Sequence, residues 1–403
     1  VAVNDPLLRL TGLSIGEFAA TSWGACPFVR RAMPSGGGFS DLLSLAAVDE
    51  LLSERGLRTP FVRMTRDGNV LAPHRFTRGG GAGADIADQV ADDKVLAEFA
   101  AGATLVLQGL HRTWPPLAEF AVALCAQLGH PVQINAYVTP PQNQGFAPHY
   151  DVHDVFVLQF AGRKRWRVHE PVIVAPLRDQ PWDARKAAVA ARAAEPPLME
   201  TLLESGDSMY LPRGYIHAAT SLGEISGHLT VGVHPLTRHT LATDVFAALA
   251  DDVELRRSLP IGVDLADPDV LRGELEATVA TLRAAFDRLD YDAISRGVGR
   301  HLAAATRPAP LAPLQQFSAA ATLSAGSPVR LRRGLRLTLR ADGDQLVIGV
   351  LDKHIRLPAA VSAAAHAATS GKSVTADGLP GLDVVEGLAL LRQLLGEGIV
   401  VPE

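Results

Sequence analysis

A chain of 403 residues, 47% hydrophobic and 20% charged, carries enough apolar mass for two or three folded domains and is no disordered polymer. A net charge of −5 argues against a whole-molecule nucleic-acid binder, and no apolar run is long enough to cross a bilayer. Its two cysteines, Cys26 and Cys125, have no ligand-like spacing, and the opening VAVNDPLLRL lacks the regions of a signal peptide, so free thiols in a reducing cytoplasm are expected.

In chain order, Leu7, Leu8, Leu10, Leu13, Ile15 and Phe18 recur at helical spacing and predict a helical lid. Residues 34–38 read as a loop, and Phe39-Ser40-Asp41 as the cap of a helix running to Leu52. Residues 61–64 predict a short strand closed by an Asp67-Gly68 turn. The run 79–84 (GGGAGA) has the composition of a phosphate loop but no Lys-Ser/Thr after it, so a flexible loop is expected. Residues 104–107 predict a buried strand and 116–128 a helix opened by prolines. Residues 132–139 alternate, with Asn135 and Tyr137 on one face and Ile134, Ala136 and Val138 on the other.

The stretch 148–168, PHYDVHDVFVLQFAGRKRWRV, organises the rest. His149 and Asp151 are two residues apart, and on an extended chain both point to one side, where they can share a metal ion. An apolar run, Val155 to Leu158, forms a wall, and a turn at Ala161-Gly162 leads into a second alternating strand. There Lys164, Trp166 and Val168 face inward while Arg163, Arg165 and Arg167 face out. An inward Lys needs an anionic partner, either a ligand carboxylate or an internal acid.

Residues 176–199 look like an insertion, with prolines flanking an Ala- and Arg-rich helical piece over 183–194. Short strands return at 209–211, 216–219 and 229–233, and strands with Gly/Pro turns argue for a closed or double-sheet β core. Within them, Gly206 to His217 fits the second cupin motif: Gly, five residues, Pro-x-Gly, two residues, His. The Asn expected four residues after that His is Ser221. His149, Asp151 and His217 thus complete a 2-His-1-carboxylate set of the kind that leaves open positions on Fe(II). His153, His169 and His234 read as structural, and His228, at the head of a strand, as a neighbour of the site.

Beyond residue 240 the pattern turns helical. Asp267-Pro268 caps a helix whose Leu271, Leu275, Val279, Leu282, Phe286 and Leu289 form one apolar stripe, flanked by helices over 240–250 and 291–305. Such a stripe needs a partner surface, within the chain or on a second subunit. Residues 307–313 read as a Pro-rich linker. A last unit follows, with a short helix, strands at 329–339, 345–350 and 354–357, and helices at 359–368 and 384–395. Its order resembles a winged helix, and Arg330, Arg332, Arg336 and Arg340 suggest a basic strand face, solvated or protein-facing rather than DNA-reading.

The motifs HYDVHDVFVLQFAGRKRW (149–166), LPRGYIH (211–217), GHLTV (227–231) and NAYVTPPQNQG (135–145) resemble the JmjC-type ribosomal oxygenases, cupin-like 2-oxoglutarate- and Fe(II)-dependent protein hydroxylases. The resemblance covers most of the chain. It implies an α+β chain with a double-stranded β-helix (cupin/JmjC jelly-roll) barrel over 1–239, a helical dimerisation region over 240–306 and a winged-helix-like domain over 307–403. It implies iron on His149, Asp151 and His217, the 2-oxoglutarate carboxylate on Lys164, O2 as oxidant, and Asn135 and Tyr137 in the pocket. A cytoplasmic homodimer acting on Arg or His of a ribosomal protein is the corresponding expectation. Demethylation, a small-molecule substrate or a non-catalytic cupin remain alternatives.

Overall fold

The computed structural model describes residues 5–32, 38–66, 68–83, 85–143 and 145–403. Two sheets form its N-terminal half. The strands are β1 (Phe28–Arg30), β2 (Val62–Arg66), β3 (Asn69–Val70), β4 (Thr77–Arg78), β5 (Gln89–Val90), β6 (Thr104–Leu107), β7 (Val132–Thr139), β8 (Asp154–Ala161), β9 (Lys164–His169), β10 (Met199–Leu203), β11 (Ser208–Leu211), β12 (Ile216–Ser221) and β13 (Ser226–Val233). The larger sheet runs β1-β11-β8-β13-β7-β6-β2-β3 and the smaller β10-β9-β12; β4 and β5 form a separate ribbon.

Period-two alternation decides which side of the large sheet packs on what. Ile134, Ala136, Val138, Phe156, Leu158, Phe160, Leu229, Val231 and Val233 join the main apolar core with Leu117, Phe120 and Leu124 of the helix Pro115–Leu128 and with Leu7, Leu10 and Phe18. On the opposite face Val155, Val157, Met209 and Leu211 meet Trp166, Val168 and Leu203 of the smaller sheet. Two glycines allow close approach here, one at the β8–β9 turn and one within β13. Gly162 has φ +60° and a Cβ there would lie 2.2 Å from the Ile225 carbonyl oxygen; at Gly227 a Cβ would lie 2.4 Å from the Phe160 ring.

The outcome departs from expectation at several ends. The predicted Ser40/Asp41 cap is displaced to Ser44, whose side chain accepts from the Ala47 N–H and starts the helix Leu45–Ser53. The strand expected at 61–64 is Val62–Arg66. The strand expected over 329–339 is two, Val329–Leu331 and Leu337–Asp342, separated by a turn with Gly334 at φ +71°. That break disperses the four arginines: Arg330 pairs with Glu403, Arg340 with Asp342, and Arg332 donates to the Ala309 carbonyl. Arg330 and Arg340 thus lie on strands of different sheets. The expected loop at 34–38 lies, apart from Gly38, outside the described residues, as do Asp67 of the predicted turn and Ala84 of the Gly-rich run.

After the barrel come the helices Arg238–Leu249, Pro268–Phe286 and Tyr291–Ala305, with the Asp267 cap and Pro268 in the first turn as read from the sequence. The last strands and helices, from Leu323 to Val400, gather around an apolar core of their own. Among the described residues, no helix is long and apolar enough to cross a membrane.

Candidate metal and co-substrate site

His149 and Asp151 do not lie on a laddered strand, as the spacing suggested. They sit in the extended segment ahead of β8, joined to the smaller sheet by one bridge in which the His217 N–H donates to the His149 carbonyl at 2.8 Å. The Pro212-Arg213-Gly214 turn closes the other side, where Gly214 at φ +93° donates its N–H to the Asp151 carbonyl. Its missing Cβ matters: one would lie 2.7 Å from the Ile173 carbonyl oxygen. The i, i+2 relation survives without the ladder, and the three side chains converge, with their ligand atoms all within 4.8 Å of one another.

The donor set suits a metal ion. His149 Nδ1 lies 2.8 Å from the Ala147 carbonyl and His217 Nδ1 3.0 Å from that of Tyr215, which places the proton on Nδ1 and leaves each Nε2 lone pair free. His217 Nε2 is 3.7 Å from Asp151 Oδ2. Burial pushes the His217 imidazole down to about 4, aided by His149 and opposed by Asp151, so the ring is neutral and able to ligate. Burial works to raise the Asp151 carboxyl, yet the imidazoles of His153, His217, His149 and His234 outweigh it and hold it below the ordinary carboxylate value. Two imidazoles with free Nε2 atoms and a carboxylate are the donors of a facial triad.

The three groups open into a cavity of about 470 Å³ between the two sheets. Lys164 lies at its inner end, 2% exposed, its Nζ 3.0 Å from Thr139 Oγ1 and 3.4 Å from His228 Nδ1. Among the described residues no carboxylate pairs with it, and burial alone pulls its pKa down to about 7. The internal-acid alternative therefore falls away. His228 is likewise held far below its usual value by burial and by Lys164, and its ring stacks on Tyr137 at 5.1 Å. Burial, then the Asp151 charge, pushes Tyr137 up to about 12. Asn135 lines the cavity but commits its side-chain oxygen to the Gly109 N–H at 3.0 Å.

Ser221 takes the place of the cupin Asn and is fully buried. It donates to the Pro140 carbonyl at 2.6 Å and accepts from the Asn143 N–H at 3.1 Å, anchoring the 140–143 loop beside the cavity. His153, read as structural, lines the cavity outside the His-Asp-His set, its Nε2 3.3 Å from Gln133 Nε2; His169 and His234 do not line it. Sequence reasoning also passed over the cavity-lining Arg63, Trp166 and Trp182, and Thr139, which accepts from Lys164. The inward parity of Thr139 and Trp166 was available in the alternation of β7 and β9, whereas Arg63 and Trp182 come from segments with no motif.

The insertion acquires a place here. Val189 of the helix Lys186–Ala193 packs with Tyr150 and Ile216, each adjacent to a triad residue, and the Tyr150 hydroxyl donates to the Gln180 carbonyl at 2.8 Å. Trp182 reaches the cavity, with its ring 6.1 Å from that of His149. Of the Gly-rich loop, the described residues 79–83 do not line the cavity.

Residues 115–241 match the JmjC domain family. The matched stretch is the catalytic-site half of the two-sheet region. It contains the triad, Lys164, Asn135, Tyr137 and His228, whereas Arg63 lies upstream of it. Among curated proteins, rat "Ribosomal oxygenase 1" is 37% identical over 172 residues, 40% of this chain and 28% of the relative. The "Bifunctional lysine-specific demethylase and histidyl-hydroxylase NO66" of Drosophila persimilis is 28% identical over 270 residues, 62% of this chain and 35% of the relative. These matches span about a third or less of the relatives' own length. Among solved structures, Escherichia coli ribosomal oxygenase YcfD superposes with a TM-score of 0.53 at 19% identity, covering 97% of this chain and 98% of that one. A YcfD structure in complex with cobalt and 2-oxoglutarate superposes at 0.52 with 18% identity, covering 98% and 99%. The likeness to YcfD shows a shared fold along nearly the whole chain.

Proposed function

We propose that this chain is a 2-oxoglutarate- and Fe(II)-dependent dioxygenase that hydroxylates a protein side chain. One conjunction carries the reading: a His-Asp-His set with free Nε2 atoms shares a cavity with a buried Lys that, among the described residues, has no carboxylate partner. A buried Lys facing a polar cavity is well matched to the distal carboxylate of 2-oxoglutarate. The cobalt and 2-oxoglutarate complex of YcfD supports the same pairing of metal and co-substrate.

In this reading His149, Asp151 and His217 hold Fe(II), and Lys164 with Thr139 holds the far end of 2-oxoglutarate. When bound, the pair supplies the oxidising chemistry by which one atom of O2 ends on a substrate C–H and the other in succinate, with carbon dioxide released. The chain's own part is geometric. The Ala147 and Tyr215 carbonyls hold the imidazole rings, Val155, Val157 and Trp166 make a dry wall, and Asn135, Tyr137 and His228 line the approach. Arg or His of a ribosomal protein is the proposed target: the relatives' names supply the ribosome and the histidyl side chain, and Arg comes from the family resemblance alone; the fly relative's name adds lysine demethylation, which needs the same site on a different C–H.

The proposed arrangement assigns 1–239 to catalysis, 240–306 to dimerisation and 307–403 to a winged-helix-like domain, in a cytoplasmic homodimer. Its chemistry is tested by succinate formation from 2-oxoglutarate with Fe(II) and no substrate. The wild type is expected to turn over and His149→Ala is not; no turnover in the wild type, or equal turnover in both, ends the oxygenase reading. The target is sought by mass spectrometry of ribosomal proteins from wild-type and deletion cells, looking for the loss of one added oxygen.

A further inference from the structure

Among the described residues that line the cavity, Arg63 on β2 is the one strong cation that the proposed chemistry leaves unused. Its placement follows from strand register. Arg63 lies opposite Val106 on β6, Val106 opposite Tyr137 on β7, and Tyr137 opposite His228 on β13. Cross-strand partners share a face, so the four form one row across the sheet. Val62 and Met64, of the opposite parity, are buried in the main core. Arg63 and Tyr137 both line the cavity.

Other arginines nearby are paired: Arg58 with Asp88, Arg66 and Arg75 with Glu98. Arg63 has no hydrogen-bond or ion-pair partner among the described residues, and its Nε is buried and unsatisfied. The only carboxylate among the described lining residues is Asp151. If Asp151 serves the metal and Lys164 the co-substrate, the remaining wall bears one fixed positive charge and no acid to receive a second. A guanidinium or ammonium entering such a space would meet like charge in a partly desolvated cavity, whereas a neutral group with a lone pair would accept a hydrogen bond from Arg63.

We infer that Arg63 sets the substrate class: it admits an uncharged side chain that bears a hydrogen-bond acceptor, imidazole or amide, and rejects arginine and lysine. The inference rests on the cavity being the substrate site of the proposed oxygenase, and narrows the target from Arg or His to a neutral residue. Arg63 is on this account a specificity residue and takes no part in bond making.

The test uses the full chain loaded with Mn(II) and 2-oxoglutarate, and four capped residues at pH 8: the N-acetyl methylamides of His, Asn, Arg and Lys. At that pH the first two are neutral and the last two charged. Paramagnetic broadening of each probe's proton signals reports approach to the metal without any turnover. The neutral probes are expected to be broadened at least about fivefold more than the cationic ones, as like-charge exclusion from a partly desolvated cavity predicts. Arg63→Lys should keep the preference, Arg63→Gln should lose it and Arg63→Glu should invert it. Equal or greater broadening of the cationic probes by the wild type, broadening of none, loss of the preference in Arg63→Lys, or a preference unchanged in Arg63→Gln would overturn the assignment. The wild-type comparison across probes needs no variant to fold. Succinate formation reports separately on the oxygenase chemistry, so either idea can fail alone.

Discussion

Lys164 concentrates the physics of the site in one side chain. In the ligand-free chain its ammonium is deprived of water and given only a hydroxyl and an imidazole in return, which is why its pKa falls to about 7. The sign follows from linkage. Between pH 7 and the ordinary Lys range the unfolded chain binds a proton that the folded chain does not, so this group makes the ligand-free protein more stable as pH rises through that window. A carboxylate ligand reverses the preference by requiring the charged form. Affinity for 2-oxoglutarate should therefore weaken above pH 7, approaching about tenfold per pH unit, with proton uptake on binding. Calorimetry in two buffers of different ionisation heat checks both; affinity flat from pH 7 to 9 would contradict the assigned role. Lys164→Met should leave Mn(II) binding intact and abolish the co-substrate response. It should also raise the melting temperature of the ligand-free protein, since an apolar chain of similar size replaces a buried amine whose partners are only a hydroxyl and an imidazole.

At the scale of elements, the strands of the barrel were legible because their two faces meet different surroundings. β7 shows Ile134, Ala136 and Val138 to the helices and Asn135 and Tyr137 to the cavity; β9 shows Lys164, Trp166 and Val168 inward and its arginines outward. Alternation of that kind survives in a linear chain. The insertion was not legible, because an Ala-rich helix gives no hint of what lies beneath it. In the fold its Val189 supports Tyr150 and Ile216, which flank the triad residues. Removing a buried Val side chain from such a cluster costs about 1.5–3 kcal/mol. Val189→Ser should loosen the metal loop, weakening Mn(II) binding severalfold while the melting temperature moves by only a few degrees, because this cluster is a satellite of the main core. Titration of Mn(II) by electron paramagnetic resonance reads this directly; unchanged affinity would make the insertion a mere cover.

For the whole molecule, the long helix Pro268–Phe286 places its apolar stripe in solvent: Leu275 is 62% exposed, Val279 43% and Phe286 37%. Phe246 of the preceding helix is 56% exposed and meets Phe286 edge to face. A contiguous apolar face of this kind on a folded chain marks an interaction surface. A second copy of the chain is the proposed occupant. Light scattering at micromolar concentration should return a dimer, and the double change Leu275→Glu with Val279→Glu should return a monomer. A wild-type monomer would defeat the proposal.

Spacing alone pointed to the proposed metal site: His149 and Asp151 two residues apart, and a Gly-to-His motif ending at His217, supply the donors that the fold then gathers. Parity added the inward Lys164. Only the tertiary structure decided what those groups share. It brought His217 against His149 across one bridge, gave Lys164 no acid among the described residues, set His153 in the cavity wall and put Arg63 in line with Tyr137 across three strands. The physical reason is range. Alternation and ligand spacing are local properties that a sequence carries in its own order, whereas pairing, burial and the charge of a cavity depend on strands whose neighbours lie tens of residues away.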